Sequence, residues 1–494
     1  MRRGPPNKDR PPPPDGGWGW VVVFSCSVCM ALTMGQARSF GIYLLDIVES
    51  LDTDVSRVAP IQGLSQAISM IIGPAASVMI RKIGLRTTGI IGGFLAGLGM
   101  ILGYISHNLV LLYITVGAIN GVGSGIVNII TFGAISAYFE KRVARAIGMA
   151  MAGAGLIGLL IPLLVKWLID EYRYTGAMLI NGAIILNIIP LCGLIIPLEE
   201  LAKADKAAAS TPAKPSYNTS LSTSQLLEHS ESTVLPETDG MASTNDNVSI
   251  NVDKREAAGG PPPPPPADKP HTFAWDILKD ARFWIICLCL IFGDAAVMNF
   301  IIYLPLLSVE IGGDNINEAI NVSLSGVISA VNMLAWGALW DFGVFKKPIS
   351  RQIGFAVLGI VNGIVVGMTG VISSYSFLMV WVIFIQPTLS VGSGSPLHVV
   401  IRDIATMEKF PDMFSASGFI RSPFTFLGSI VVGAFYEKMG SSASLVYMLL
   451  GGCAMAAGLL GILIPIISLT FYAPPPPPPE TVTDKENPTE DTRF

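Results

Sequence analysis

Charged residues are scarce in this sequence. Only 14% of its 494 residues are Asp, Glu, Lys or Arg, whereas 51% are hydrophobic. So few charges cannot cover the surface of a water-soluble fold of this length, which argues against a soluble enzyme or a soluble binding domain. The composition instead favours a membrane protein that crosses the bilayer many times.

Cysteine and histidine are also rare, with six and four residues. All six cysteines fall in apolar stretches, so neither a disulfide framework nor a metal site is predicted. The sequence shows no nucleophile paired with a base, no phosphate-binding glycine loop and no metal-ligand spacing. We therefore expect no enzyme activity, no cofactor, no metal and no nucleic-acid partner.

Long apolar runs are abundant. A helix needs about 20 apolar residues to cross a hydrocarbon core of about 30 Å. The sequence therefore predicts an all-α membrane protein with twelve transmembrane helices, over residues 18–45, 58–80, 86–106, 109–137, 146–168, 176–198, 283–309, 322–341, 352–373, 376–401, 413–436 and 444–471.

The twelve runs form two groups of six, which predicts six-helix bundles at 18–198 and 283–471. Residues 199–282, between the groups, are rich in Ser, Thr, Ala and Pro and are predicted to be a disordered cytosolic linker. Disordered cytosolic tails are predicted at 1–17 and 472–494. Two repeated halves around a site near the bilayer midplane are typical of secondary transporters.

Proline tracts occur in the linker and in both tails, at Pro11–Pro14, Pro261–Pro266 and Pro474–Pro479. Such tracts favour the polyproline II conformation. They act either as plain spacers or as ligands for SH3, WW or EVH1-type modules, and both interpretations stay open here.

Basic residues in the short loops predict the orientation. Lys and Arg accumulate on the cytoplasmic side of membrane proteins. With the amino end inside, the inner loops hold eleven such residues and the outer loops hold four. Both termini are therefore predicted to be cytosolic.

Two motifs carry a family resemblance. DGGWGW, Asp15 to Trp20, stands at the head of the first run, and YFEKRVARAIGMAMAGAGLIG, Tyr138 to Gly158, leads into the fifth. In these positions they resemble the signature motifs of the monocarboxylate transporter family (solute carrier family 16), and the chain is identified as a divergent member. The resemblance implies the fold of the major facilitator superfamily and the carriage of a small organic anion by alternating access, with a proton as a candidate co-substrate.

The resemblance also implies roles for loop and motif residues. Charged loops after the second and eighth runs resemble the cytoplasmic gate of the superfamily, with ordinary orientation-setting loops as the alternative. Trp18 and Trp20 are expected at the headgroup level, and the neighbouring glycines suggest close backbone packing or a turn into the membrane. The predicted gating and motif residues are Asp15, Gly16, Gly17, Trp18, Trp20, Arg81, Arg86, Lys141, Arg142 and Asp341.

Three charged side chains lie well inside the apolar runs, away from the run ends: Arg38, Asp294 and Arg421. An ionised side chain at the bilayer centre costs at least about 2.5–3.5 kcal/mol, so charges retained there usually face a hydrated cavity. Two guanidinium groups and one carboxylate leave a net positive charge, which suits an anionic substrate. We predict that all three bind substrate. A structural pair between Arg38 and Asp294 is the alternative, and Arg421 could instead brace helices or reach toward the inner interface.

The chain departs from the family pattern at the site of proton coupling. Proton-coupled members carry an Asp and an Arg one helical turn apart on the eighth span. One alignment of this chain puts Asn332 and Trp336 there, and another puts Ser329 and Met333 there. Arg38 stands where transporting members carry a Lys, but a guanidinium does not release its proton at physiological pH. Coupling would then fall on Asp294, for which a purely structural counter-ion role is the alternative.

Three functions remain open on the sequence. The first is a secondary active transporter of small carboxylates in the plasma membrane. The second is a facilitator of the same fold for an aromatic amino acid, a hormone-like or a creatine-like solute, without proton coupling. The third is a non-transporting membrane scaffold that recruits partners through its proline tracts. The lipid bilayer is an expected partner, and the resemblance adds a single-span glycoprotein chaperone.

Overall fold

The computed structural model describes residues 16–139, 142–196, 275–313, 315–340, 345, 347–390, 400–401, 404 and 410–471. Helices dominate this part of the chain, and it contains no β-strand. The proline tracts and most of the predicted linker lie outside the described residues. Those linker residues that are described include a 3₁₀ helix, Trp275–Lys279, whose Ile277 is buried in an apolar cluster with Phe283.

The first half begins with a long helix, α1, and continues through helices that pack around it. A one-turn helix at Val55–Val58 precedes α2, and α4 contains a π-helical segment at Tyr113–Ile119. The helices are α1 (Trp18–Leu51), α2 (Pro60–Ile71), α3 (Gly73–Gly103), α4 (Leu109–Tyr138), α5 (Val143–Gly158), α6 (Leu160–Ile185) and α7 (Ile188–Gly193).

The second half repeats this pattern. Its fourth helix, α11, also contains a π-helical segment, at Trp381–Ile385, in a position equivalent to that of α4. The helices are α8 (Ala281–Glu310), α9 (Asn315–Trp340), α10 (Pro348–Thr369), α11 (Tyr375–Ser390), α12 (Phe410–Lys438), α13 (Ala443–Gly461) and α14 (Leu463–Phe471).

The predicted runs agree well with these helices. Each run is mainly helical over its described residues. Within the described part, eight continuous helical segments are long and apolar enough to cross a membrane. One of them, Arg145–Gly193, joins α5, α6 and α7 and covers the fifth predicted run and most of the sixth. Two shorter apolar helices, Ala319–Met333 and Tyr375–Ser390, fall on the eighth and tenth runs. The all-helical membrane fold is therefore confirmed.

Two helices contain a break where the sequence predicts a loop. The backbone leaves the helical conformation at Gly84 in α3, with φ 85° and ψ 164°, and at Arg173 in α6, with φ 59° and ψ 176°. Glycine adopts such angles at little cost, whereas arginine is strained by them. Contacts to α1 hold Arg173 in place, since its Nη2 donates to Ser50 Oγ at 2.8 Å and the amide of Tyr174 donates to Asp46 at 2.7 Å.

Small residues bring the helices of the first half close together. A Cβ atom at Gly97 would lie 2.5 Å from Leu186 Cδ2, and one at Gly121 would lie 2.7 Å from the carbonyl oxygen of Ser65. In lipid, such close approach is a main source of helix association. The described surface carries large apolar side chains, including Val110 at 70% exposure and Val371 at 68%, which is what contact with lipid requires.

Candidate functional site

A cavity of about 140 Å³ lies beside Arg38, where the two halves of the chain meet. Helices α1 and α5 of the first half and α9 of the second half form its walls. The lining residues are Met30, Met34, Gly35, Arg38, Met151, Ala154, Gly155, Gly158, Gly326, Ser329 and Met333. Within the described part of the chain, the guanidinium of Arg38 makes no hydrogen bond and no ion pair.

A buried polar network fixes the rotation of α1 so that Arg38 faces this cavity. Asn181 Nδ2 donates to Gln36 Oε1 and, at 3.3 Å, to the hydroxyl oxygen of Tyr43. Gln36 is two residues from Arg38, which corresponds to about 200° around an α-helix, so the two side chains lie on opposite faces. Because Gln36 and Asn181 are buried, each needs a hydrogen-bond partner, and rotation of α1 would remove it.

Gly326 of α9 provides the space that Arg38 occupies. A Cβ atom at this position would overlap Nη1 of Arg38. The overlap involves the far end of a flexible side chain, so a larger residue would move the guanidinium rather than separate the helices. Gly326 is thus a positioning residue that sequence reasoning missed.

This arrangement predicts the effect of Gly326→Ala. The methyl group displaces the guanidinium while the fold persists, so substrate uptake falls at least about tenfold, as expected for loss of one charge-assisted hydrogen bond worth about 1.5–3 kcal/mol. Uptake into proteoliposomes and thermal unfolding in detergent measure the two effects. Gly452→Ala is the matched control, because a Cβ there meets nothing within 4 Å. Equal uptake by both variants would contradict the role of Gly326.

The two alignments of the eighth span select residues on different faces of α9. Ser329 and Met333 line the Arg38 cavity. Asn332 and Trp336 instead contact α11, since Asn332 Nδ2 donates to Thr388 Oγ1 at 2.8 Å and Trp336 Nε1 donates to the carbonyl oxygen of Thr388 at 2.7 Å. The cavity face of α9 therefore carries a hydroxyl and a thioether at the two positions, and neither group titrates.

Asp294 and Arg421 form an ion pair in the second half. Arg421 Nη1 on α12 lies 3.3 Å from Asp294 Oδ2 on α8, and the two side chains are 14% and 15% exposed. Neither residue lines the Arg38 cavity. The structure thus divides the predicted trio, because the carboxylate pairs with Arg421 and leaves Arg38 without a protein counter-ion among the described residues.

The pair leaves part of its hydrogen-bonding capacity unused. Arg421 Nε is buried and has no partner in the described part of the chain, and Asp294 Oδ2 makes the ion pair without a well-aligned hydrogen bond. Breaking a buried pair is costly because the remaining charge stays uncompensated. This geometry favours a structural counter-ion role for Asp294.

The two signature motifs pack against each other at one end of the first half. Trp20 lies on Phe139, with ring centroids 5.0 Å apart, and a Cβ at Gly19 would lie only 2.9 Å from Phe139 Cζ. Gly17 has φ 55°, so a turn precedes α1. The glycines of the motif therefore serve both expected purposes, a turn and close packing.

Trp18 and Tyr138 bind the chain segment that follows α7. Trp18 Nε1 donates to the carbonyl oxygen of Leu194 at 3.0 Å, and the hydroxyl of Tyr138 donates to that of Ile196. Carbonyl groups at the end of a helix lack partners within the helix, so these side chains satisfy them. Trp18 is still 36% exposed, and it holds helices together in addition to any contact with headgroups.

The remaining predicted gate and motif residues are exposed or not described. Arg81, Arg86 and Arg142 are exposed, and Gly16 accepts a hydrogen bond from the amide of Gly19 at 3.0 Å. Asp15, Lys141 and Asp341 lie outside the described residues. A gating role for these residues stays a prediction.

Comparison with known proteins identifies relatives of this chain. It is 34% identical over 189 residues to monocarboxylate transporter 13 of Rattus norvegicus, covering 38% of this chain and 44% of the relative. It is 34% identical over 186 residues to monocarboxylate transporter 11 of Homo sapiens, covering 38% and 40%. The chain thus spans less than half the length of these curated relatives. The resemblance to the monocarboxylate transporter family is confirmed.

Comparisons of whole folds and family models cover much more of the chain. The crystal structure of a POT family transporter in complex with a thioalcohol-conjugated peptide matches with a TM-score of 0.62, at 12% identity, over 91% of this chain and 95% of the other. That similarity concerns the fold alone. The family model described as Major Facilitator Superfamily matches residues 24–428. This protein therefore belongs to the major facilitator superfamily.

Proposed function

We propose that this protein is a secondary transporter that carries small carboxylates across a membrane by alternating access. The observation that supports this function best is the guanidinium of Arg38, which borders a cavity and has no protein counter-ion among the described residues. A cation in such surroundings is costly, and an anionic solute in the cavity would compensate it. A carboxylate matches the planar guanidinium through two parallel hydrogen bonds.

The position of the cavity fits an alternating-access cycle. Its walls come from α1 and α5 in one half and from α9 in the other. A bound solute would touch both halves, so its binding free energy could bias their relative arrangement. Close to Arg38, α1 and α8 approach closely, since a Cβ at Gly41 would lie 2.9 Å from the carbonyl oxygen of Ile302.

The cellular setting is part of the proposal. The excess of Lys and Arg in one set of loops supports cytosolic termini, and the family resemblance supports the plasma membrane. The same resemblance supports escort by a single-span glycoprotein. The proline tracts remain candidate ligands for SH3, WW or EVH1-type modules.

Uptake into proteoliposomes tests the transport function. We expect saturable, protein-dependent uptake of at least one of lactate and pyruvate, after subtraction of uptake into protein-free liposomes. An excess of the same carboxylate without label should slow this uptake. The primary alcohol in which –CH₂OH replaces the carboxylate should not slow it. Absence of uptake for all carboxylates tested, by protein that unfolds cooperatively and is therefore native, would reject the proposal.

A second candidate is a facilitator of the same fold that does not couple to protons. The favouring observation is the presence of Ser329 and Met333 on the cavity face of α9, because neither side chain exchanges a proton at physiological pH. Arg38 cannot supply a proton-exchanging group either, since a guanidinium stays protonated throughout the physiological range.

The second candidate predicts how uptake depends on a pH gradient. Pyruvate uptake at a fixed internal pH should proceed at the same initial rate with and without an imposed inward proton gradient. The controls are protein-free liposomes and a proton ionophore, which correct for diffusion of the free acid. A severalfold acceleration by the gradient would contradict this expectation. Loss of that acceleration in Asp294→Asn/Arg421→Met would then assign the coupling to the pair.

A further inference from the structure

The lining of the Arg38 cavity has an unusual composition. Methionine accounts for 19 of the 494 residues of the chain but for four of the eleven lining residues, Met30, Met34, Met151 and Met333. They come from α1, α5 and α9. Met30 is fully buried, whereas Met34, Met151 and Met333 are at least partly exposed, so all three helices present a methionine side chain that a solute can contact. Thioethers are polarisable and make favourable contacts with aromatic rings.

Polar groups in the lining are few and are of two kinds. Among the described residues that line the cavity, only Arg38 and Ser329 have polar side chains. The hydroxyl of Ser329 donates to the carbonyl oxygen of Ser325 at 2.7 Å, so it offers lone pairs rather than a proton to the cavity. The described part of the lining therefore provides one cation for one carboxylate, and it holds neither an acid for an ammonium group nor a second cation for a dicarboxylate.

The size of the cavity suits a small ring. Its volume of about 140 Å³ resembles that of an engineered protein cavity of roughly 150 Å³ that binds benzene. A single six-membered ring therefore fits this space. Gly155 and Gly158 of α5 leave a flat stretch of wall for a ring.

We infer that the Arg38 cavity selects a monocarboxylate that carries one aromatic ring and no amino group, with the carboxylate on Arg38 and the ring among the methionines. This inference rests on the proposed transport of carboxylates and narrows its substrate class. It separates the cavity from one built for amino acid zwitterions or creatine-like cations. Benzoate and 3-phenylpropionate are the simplest members of the class.

Three matched pairs of solutes test the inference by ligand-dependent thermal stabilisation of the purified full-length protein in detergent. Benzoate should bind roughly two- to tenfold tighter than cyclohexanecarboxylate, the range given by about 0.3–1.5 kcal/mol per sulfur–aromatic contact. 3-Phenylpropionate should bind at least about tenfold tighter than phenylalanine, whose ammonium group finds no partner. Benzoate should likewise bind more tightly than phthalate, which adds a second carboxylate.

Two variants connect these preferences to the cavity. Met151→Leu/Met333→Leu conserves volume and removes two sulfur atoms, so the ratio of benzoate to cyclohexanecarboxylate affinity should fall toward one while binding persists. Gly158→Ala adds a methyl group that meets only the carbonyl oxygen of Ala31, at 3.9 Å. It should therefore narrow the cavity without strain. Benzoate should bind more weakly to this variant, whereas the affinity for lactate should not change.

The outcomes distinguish this inference from the proposed function. If lactate or pyruvate is bound and transported but benzoate is no better than cyclohexanecarboxylate, the inference fails and carboxylate transport stands. Tighter binding of phenylalanine than of 3-phenylpropionate would also overturn the inference. If no carboxylate stabilises the protein and none is transported, both fail.

Discussion

Replacement of Arg38 by glutamine is expected to abolish carboxylate uptake while the fold remains intact. Loss of one partner of a buried, hydrogen-bonded charge pair costs about 2–5 kcal/mol, so uptake should fall by at least about thirtyfold. Stability should stay unchanged or rise, because Arg38 has no partner within the described part of the chain. Initial uptake rates and thermal unfolding of the same preparation measure both effects.

A second arginine variant serves as the control for Arg38→Gln. Arg57 forms an exposed ion pair with Asp54, with Nε and Oδ2 3.4 Å apart and side chains 67% and 56% exposed. Exposed pairs contribute little, so Arg57→Gln should leave uptake and stability unchanged. Wild-type uptake by Arg38→Gln would remove Arg38 from the substrate site, and a large loss of stability would show that its role is structural.

The pair between Asp294 and Arg421 predicts the largest loss of stability. Asp294→Asn leaves the Arg421 guanidinium buried without a counter-ion, and removal of one member of a buried pair typically costs about 3–5 kcal/mol. The double variant Asp294→Asn/Arg421→Met removes both charges and should recover most of that stability. Thermal unfolding in detergent, followed by tryptophan fluorescence, measures the three proteins.

The double variant separates charge from packing in this prediction. A double variant as unstable as Asp294→Asn would mean that packing around α8 and α12 causes the loss. If Asp294→Asn alone were as stable as the wild type, the ion pair would contribute nothing to stability. A role for Asp294 in a hydrated cavity would then be favoured over a structural one. Asp54→Asn, at the exposed pair, is the matched control for the loss of a carboxylate.

The membrane-spanning helices were accessible to prediction because long apolar runs dominate this sequence. The ends of the helices were harder to predict, and α1 illustrates the reason. Its predicted end at residue 45 follows the loss of apolar residues, yet the helix continues to Leu51. Asp46 and Ser50 lie in this extension, where they accept hydrogen bonds from the strained turn at Arg173 in α6. Local composition cannot reveal such a partner.

The sequence identifies the individual charged residues of the site, but it does not show which of them form an ion pair. Arg38, Asp294 and Arg421 stand out because ionised side chains are costly in lipid. Which arginine meets the carboxylate depends on how α1, α8 and α12 are rotated, and the polar network of Gln36 and Asn181 contributes to that rotation. This network connects residues 145 positions apart, beyond any local pattern.

One signal for the cavity was present in the sequence and was missed. Gly326, Ser329 and Met333 recur at intervals of three and four residues, which places them on one face of α9. Their small or flexible side chains leave space beside this face for a larger side chain or a solute. The sequence could not show that this face meets Arg38, because that contact joins the two halves of the chain.

Direct binding tests the central claim that Arg38 holds the carboxylate. The measurement is equilibrium binding of labelled pyruvate and labelled benzoate to purified protein in detergent, with wild type, Arg38→Gln and the charge-free Asp294→Asn/Arg421→Met compared. We predict saturable binding by the wild type and the double variant and its loss in Arg38→Gln. Equal binding by Arg38→Gln and the wild type would contradict the account.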